Sequence, residues 1–161
     1  MNYSSERGVN AIAVLTADHR QVQQWFTEFQ STNSLMREEA LALDICSAIR
    51  MHAEIDEEIF YPAFLEATHE QYKHQEAMQE HQAMRDLIGE IEHAGSTEDM
   101  FFAKVHVLCD MFTHHVKEEE KTHGIFFDAQ HSALDLDALG NTIQARKSQL
   151  LESGAIRGRL S

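Results

Sequence analysis

The sequence predicts an all-α fold: an up-down-up-down four-helix bundle with a short extra C-terminal helix. Three observations carry that expectation. Apolar residues recur at helical spacing along four long stretches, and no stretch alternates as a strand would. Helix-breaking residues are sparse, with seven glycines and one proline in 161 residues. Short connections between the stretches make neighbours antiparallel, which is the bundle topology.

The first helix is expected over about residues 10–30, with Ile12, Leu15, Val22, Trp25, Phe26 and Phe29 on its apolar stripe. The segment STNS (31–34) supplies N-cap side chains for a second helix over about 35–69. Its inward residues are Leu41, Ile45, Ile49, Ile55, Ile59 and Phe60. Pro62 lacks a backbone donor, so it should kink that helix or end its regular part. A third helix, about 71–94, carries Met78, Met84, Leu87, Ile88 and Ile91, and Gly95 stops it. Ser96 with Asp99 three residues later resembles a capping box and predicts a fourth helix running from there to about Phe127. A short fifth helix is expected over about 134–151, followed by a frayed tail over 152–161. Residues 1–161 read as one domain, with the bundle over about 10–130.

Composition narrows the function. A formal charge of -14 argues against nucleic acid, because Lys and Arg neither outnumber the acids nor cluster into a basic stripe. No apolar run approaches the ~20 residues that span a bilayer. The start MNYSSERGVNAIAVL lacks a basic region followed by a sustained apolar stretch, so no signal peptide is expected. Cys46 and Cys109 each sit in an apolar helical pattern and read as reduced, buried thiols, consistent with a cytoplasmic setting. Eleven histidines are the anomaly, since neutral imidazole is the commonest metal ligand.

Two of these histidines are followed four residues later by a carboxylate, His52 by Asp56 and His115 by Glu119. That spacing puts each pair on one helix face, about one turn apart. His19 and His81 lie singly on the apolar stripes of the first and third helices. A lone histidine on such a stripe is usually a hydrogen-bonded core residue, and a lone His-x-x-x-Asp is usually a surface pair. Level separates the two readings. Counted from turns near residues 33 and 95, His19 and His81 each lie 14 residues away, and His52 and His115 lie 19 and 20. At ~1.5 Å per residue all four fall within roughly 9 Å along the bundle axis, which suits a two-metal cluster. The Glu-x-x-His strings of ferritin-like di-iron proteins also occur, at Glu66–His69 and Glu120–His123, but their levels differ by about 12 Å.

The segments DHR (18–20), HAEIDEEIFYP (52–62), EHQAM (80–84) and HHVKEEE (114–120) resemble the hemerythrin-like, or HHE cation-binding, family in order and spacing. The resemblance implies a non-haem di-iron centre inside the bundle. It makes His19, His52, His81 and His115 terminal ligands, with Asp56 and Glu119 as bridging carboxylates. Asp56 stands where many members have Glu, and Glu57 is a second-ranked substitute. Oxygen-carrying members have a second histidine one turn from the third-helix one. Here those positions are Ala77 and Arg85, which leaves one coordination position open to water, substrate or Tyr61. Glu118 and Glu80 are candidates to orient the outer imidazole nitrogens. Ile49, Val22, Phe26, Met84 and Phe112 are candidates to exclude water.

The cofactor expected is two carboxylate-bridged iron ions, with zinc or manganese as possible substitutes. The expected partners are dioxygen, nitric oxide or peroxide, with no nucleic acid and no membrane. The leading expectation is a di-iron protein that binds dioxygen or a related diatomic for storage, delivery or sensing. The alternatives are a peroxide-consuming or ferroxidase enzyme, and plain metal buffering.

Overall fold

The structure, a computed structural model, describes residues 9–154. Helix α1 (Ala11–Ser31) opens on Asn10, whose side-chain oxygen accepts from the N–H groups of Ile12 and Ala13. Helix α2 (Leu35–Ile55) opens on Ser34 in the same way, through the N–H of Arg37. A π-helical turn, Asp56–Phe60, joins α2 to α3 (Tyr61–Thr68). Helix α4 (Gln71–Ala94) leads to α5 (Phe101–Glu120), then short α6 (Ile125–Gln130) and α7 (Leu136–Glu152). Helices α1, α2, α4 and α5 close the bundle, and α7 lies across α1 and α2. Among the described residues no helix is long and apolar enough to cross a membrane.

The single long second helix expected from the sequence is therefore two α-helices with a π turn between them. Pro62 offers no N–H and would clash with the carbonyl of Glu58 in continuous α geometry. The π turn absorbs the conflict upstream, with the Tyr61 N–H donating to the Asp56 carbonyl five residues back. This changes which way Tyr61 points. Five residues of α-helix rotate a side chain about 140° away from its starting face, whereas a π turn closes in about five residues and returns Tyr61 near the face of Asp56.

Both ends of the fourth bundle helix differ from expectation. The capping box at Ser96 and Asp99 does not form. The chain leaves α4 through Gly95 at φ 72°, makes turns, and begins α5 at Phe101 with no side-chain cap. Burial of Phe101 sets that start. At the other end α5 stops at Glu120 rather than Phe127, because the chain folds back to bury Ile125 and Phe126. Gly124 makes the return: a Cβ there would lie 2.4 Å from the carbonyl oxygen of Glu118. The C-terminal helix is α7, ending at Glu152, and residues 155–161 of the tail expected to fray lie outside the described residues.

The core is divided. One apolar cluster, including Phe29, Leu41, Ile45, Ile88, Leu108 and Phe112, fills the end near the α1–α2 turn. A second, including Leu15, Ile55, Phe60, Phe64, Phe126 and Ile143, fills the other end and takes in α7. Cys46 and Cys109 are buried and free, as expected. Buried polar side chains lie between the clusters along the helices.

Candidate metal centre

Each bundle helix carries one histidine into that layer, and the four rings meet in two pairs. His19 of α1 and His52 of α2 approach with Nε2 atoms 3.1 Å apart. His81 of α4 and His115 of α5 do the same at 3.3 Å. Two carboxylates lie across the pairs. Asp56 Oδ2 is 3.2 Å from His52 Nε2 and 3.6 Å from His81 Nε2. Glu119 Oε1 is 3.3 Å from His19 Nε2, and its Oε2 is 3.2 Å from His115 Nε2. Each carboxylate thus touches one imidazole of each pair, a bridging arrangement. All six residues are at most 2% exposed.

The outer nitrogens set the chemistry of the inner ones. His19 Nδ1 donates to Glu120 Oε2 at 2.8 Å, His115 Nδ1 to Glu80 Oε1 at 2.8 Å, and His81 Nδ1 to Glu57 Oε2 at 3.1 Å. His52 Nδ1 faces Asp18 Oδ2 at 3.6 Å. A carboxylate on Nδ1 fixes the tautomer and leaves an Nε2 lone pair facing inward. Three of the four carboxylates are themselves held by cations: Glu120 by Arg20, Glu57 by Arg85, and Asp18 by Lys147 of α7. Glu57 therefore stands on the outer side of His81 and not among the inward donors. Glu80 plays its expected part, while Glu118 pairs with Lys121 instead.

Tyr61 is fully buried beside the His81–His115 pair. Its hydroxyl donates to Glu119 Oε2 and lies 3.3 Å and 3.5 Å from the Nε2 atoms of His81 and His115. On the opposite side, Phe126 stacks on His19 at 5.5 Å, and Phe112 meets His19 and His52 edge-on. Val22, Ile49 and Met84 are buried in the adjoining cluster, whereas Phe26 is partly buried and stacks on Phe29, further along α1.

The electrostatics of the layer set burial against the opposite charges packed beside each group. Burial pulls His52 and His115 downward, but the carboxylates around them win. His52 is held well above the usual imidazole range, and His115 rises to about 10. Burial acts to raise Glu119, yet His115 and His19 hold it well below the carboxylate range. The hydrogen bond from His19, with help from Arg20, lowers Glu120 to about 2. Burial and the neighbouring Asp56 and Glu119 keep the Tyr61 phenol protonated.

The residues fit a metal. Both oxygens of Asp56 and Oε1 of Glu119 are buried with no hydrogen-bond partner, a costly state for carboxylates unless a cation compensates. Ligand atoms of His52, Asp56, His115 and Glu119 all lie within 4.8 Å of one another. The rival Glu-x-x-His strings come to nothing: Glu66, His69 and His123 are exposed, and Glu120 serves His19. Asp18, Glu120 and Phe126 are contributions to the centre that the sequence reading did not assign. Asp18 and Glu120 sit directly beside ligating-type residues in the chain, and that adjacency was the only signal.

A four-helix bundle with a buried layer of paired imidazoles and carboxylates defines a metal-binding helical protein. The hemerythrin HHE cation binding domain family model matches residues 6–123, and the chain belongs to that family. A crystal structure of a hemerythrin HHE cation binding domain-containing protein from Mycobacterium kansasii shares the fold, with a TM-score of 0.73 and 23% identity. That match covers 94% of this chain and 95% of the other. A curated relative named DNA nickase, from Nostoc sp. (strain PCC 7120 / SAG 25.82 / UTEX 2576), is 29% identical over 119 residues, or 74% of this chain. The match spans only 34% of that relative's length.

Proposed function

We propose that this protein is a non-haem di-iron protein whose centre consumes peroxide. In this reading His19 and His52 would hold one ion and His81 and His115 the second, with Asp56 and Glu119 each within reach of both pairs. One observation supports two ions rather than one: there are two separate pairs of inward Nε2 atoms, at 3.1 Å and 3.3 Å, each pair touched by both carboxylates. Two imidazole nitrogens this close need a proton or a metal cation between them, and a cation would take the place of the proton. Nitrogen and oxygen donors without thiolate suit iron, and also accept zinc or manganese. When bound, the iron pair supplies electrons to, or takes them from, a small oxygen-derived ligand.

Tyr61 orders the readings. Reversible uptake of dioxygen or nitric oxide, the leading expectation from the sequence, calls for an open ferrous position. The Tyr61 hydroxyl, 3.3 and 3.5 Å from the Nε2 atoms of His81 and His115, would compete for such a position on an ion held by those two histidines. As a phenol it offers a proton inside a dry site, and if a bound cation displaced that proton its phenolate would favour ferric iron. Both properties suit turnover of peroxide, so diatomic binding becomes the second reading. Glu57, on the outer nitrogen of His81, orients that ring. The DNA nicking named for the Nostoc relative is not carried over, since the match spans a third of that protein and this chain bears a charge of -14.

The test is metal analysis after iron-supplemented expression, followed by peroxide addition with dissolved oxygen monitored. Two irons per chain with sustained peroxide loss supports the proposal. A reversible absorption band on oxygenating the ferrous protein, without turnover, supports the second reading. Rapid irreversible oxidation of the ferrous protein without peroxide turnover points to a ferroxidase. Zinc alone in the purified protein points to metal buffering and sinks the first two.

A further inference from the structure

We infer that the centre is loaded from one side, through an acidic cleft between α4 and the turn after α5, and that this cleft admits hydrated divalent cations. The inference rests on the two-metal reading above. The cleft has a volume of about 530 Å³, and its inner wall includes His115 and Glu119. Two smaller hollows reach the centre's surroundings without touching an inward ligand: one is lined by Glu120 and Phe126, the other by Glu80. The other half of the centre is covered: Phe126 and Phe112 lie against His19, and Asp18, tied to Lys147 of α7, lies over His52.

Charge identifies what the cleft favours. Four carboxylates line it, Glu76, Glu80, Glu118 and Glu119, against two ammonium groups, Lys73 and Lys121. Lys73 is engaged by Asp128 from outside the lining, and Lys121 and Glu118 offset each other, which leaves Glu76, Glu80 and Glu119 as the cleft's acidic face. Glu76 and Glu80 are four residues apart on α4 and so share a face. The row they form leads inward to Glu80, whose Oε1 meets His115 Nδ1 at 2.8 Å. At its inner end Glu119 is 2% exposed, with Oε1 lacking any hydrogen-bond donor. A cleft lined by one sign of charge concentrates ions of the opposite sign and speeds their arrival. It repels anions and leaves neutral diatomics unaffected. Size agrees: an octahedral ion with six waters needs ~200 Å³ at about 30 Å³ per water. A diatomic would need far less than the cleft offers.

The test is stopped-flow loading of the metal-free full chain with cobalt(II), read by absorbance at low and high salt. Glu76→Gln should slow loading at least about threefold at low salt, and Glu76→Lys should slow it further. Both should flatten the salt dependence while leaving the final two cobalt ions per chain and their spectrum unchanged. Thr122→Trp, which fills the cleft mouth, should slow loading at every salt concentration. Glu152→Gln, on α7, should change nothing. Wild-type rates in both Glu76→Lys and Thr122→Trp, with two metals bound, would overturn the cleft while leaving the two-metal reading intact. Failure of the wild-type chain to take up cobalt would remove the two-metal reading, and the cleft with it.

Discussion

The Tyr61 hydroxyl donates a hydrogen bond to Glu119 Oε2 across the inside of the bundle, bringing the residue before the only proline onto a carboxylate of the buried layer. The π turn puts it there. Tyr61→Phe removes the oxygen and keeps the ring, so the fold and the two-metal stoichiometry should survive. Peroxide turnover should fall by at least about tenfold, below the usual range for losing an acid–base group. Any absorption band from a phenolate on ferric iron should vanish. Unchanged turnover in this variant would return diatomic binding to first place.

The two imidazole pairs predict a matched pair of losses. His52→Ala and His115→Ala each remove half of one pair and a contact to a bridging carboxylate, so each should abolish two-metal loading. Metal analysis checks this directly. Two irons retained in either variant would mean the ligand set is wrong.

Orientation of the rings is a separate prediction. Glu120→Gln and Glu80→Gln keep a hydrogen-bond acceptor on His19 and His115 but lose its charge. Metal affinity should weaken by about 10–100-fold, the usual cost of losing a carboxylate behind a metal-bound histidine. Competition with a chelator of known affinity measures it.

The raised pKa of His115 fixes the sign of a pH effect. Its value of about 10 in the folded, metal-free protein lies above the unfolded value near 6.5. The folded state therefore binds the extra proton between those limits. The resulting stability is fully present below about 6.5 and is lost as pH rises through about 10. The Tm of the metal-free protein should accordingly fall from pH 7 to pH 10. Metal binding needs the neutral imidazole, so loading at pH 7 should release protons, and affinity should rise with pH over that range. A pH indicator in weak buffer detects the release.

Helix α7 docks through Gly140, where a Cβ would lie 1.5 Å from the carbonyl oxygen of Val9. Gly140→Ala should force the helix off its seat and destabilise the protein by about 1–3 kcal/mol or more. Because Lys147 holds Asp18 behind His52, the same variant should also loosen metal binding. Denaturant melts of loaded and metal-free protein separate the two effects.

Much of the bundle was legible because helical periodicity is local. Ser34, within the STNS segment, caps α2 as expected, and Gly95 ends α4 at the expected residue. The four histidines were legible because a rise of ~1.5 Å per residue turns sequence distance into height. The ends of α5 were not. Phe101 and Phe126 choose their positions by what they cover, and no local signal at Ser96 or Phe127 reports that.

The sequence alone determined an all-helical bundle and the level at which His19, His52, His81 and His115 meet, since both follow from spacing along a single helix. The tertiary structure decided what stands around them. It turned Tyr61 inward through the π turn, put Glu57 and Glu120 behind imidazoles, brought Lys147 from α7 to Asp18, and left His115 and Glu119 on the wall of a cleft. Those relationships join residues on different helices, or follow from a change of helical register. Only packing fixes them, because periodicity within one helix carries no information about the rotation of its neighbour.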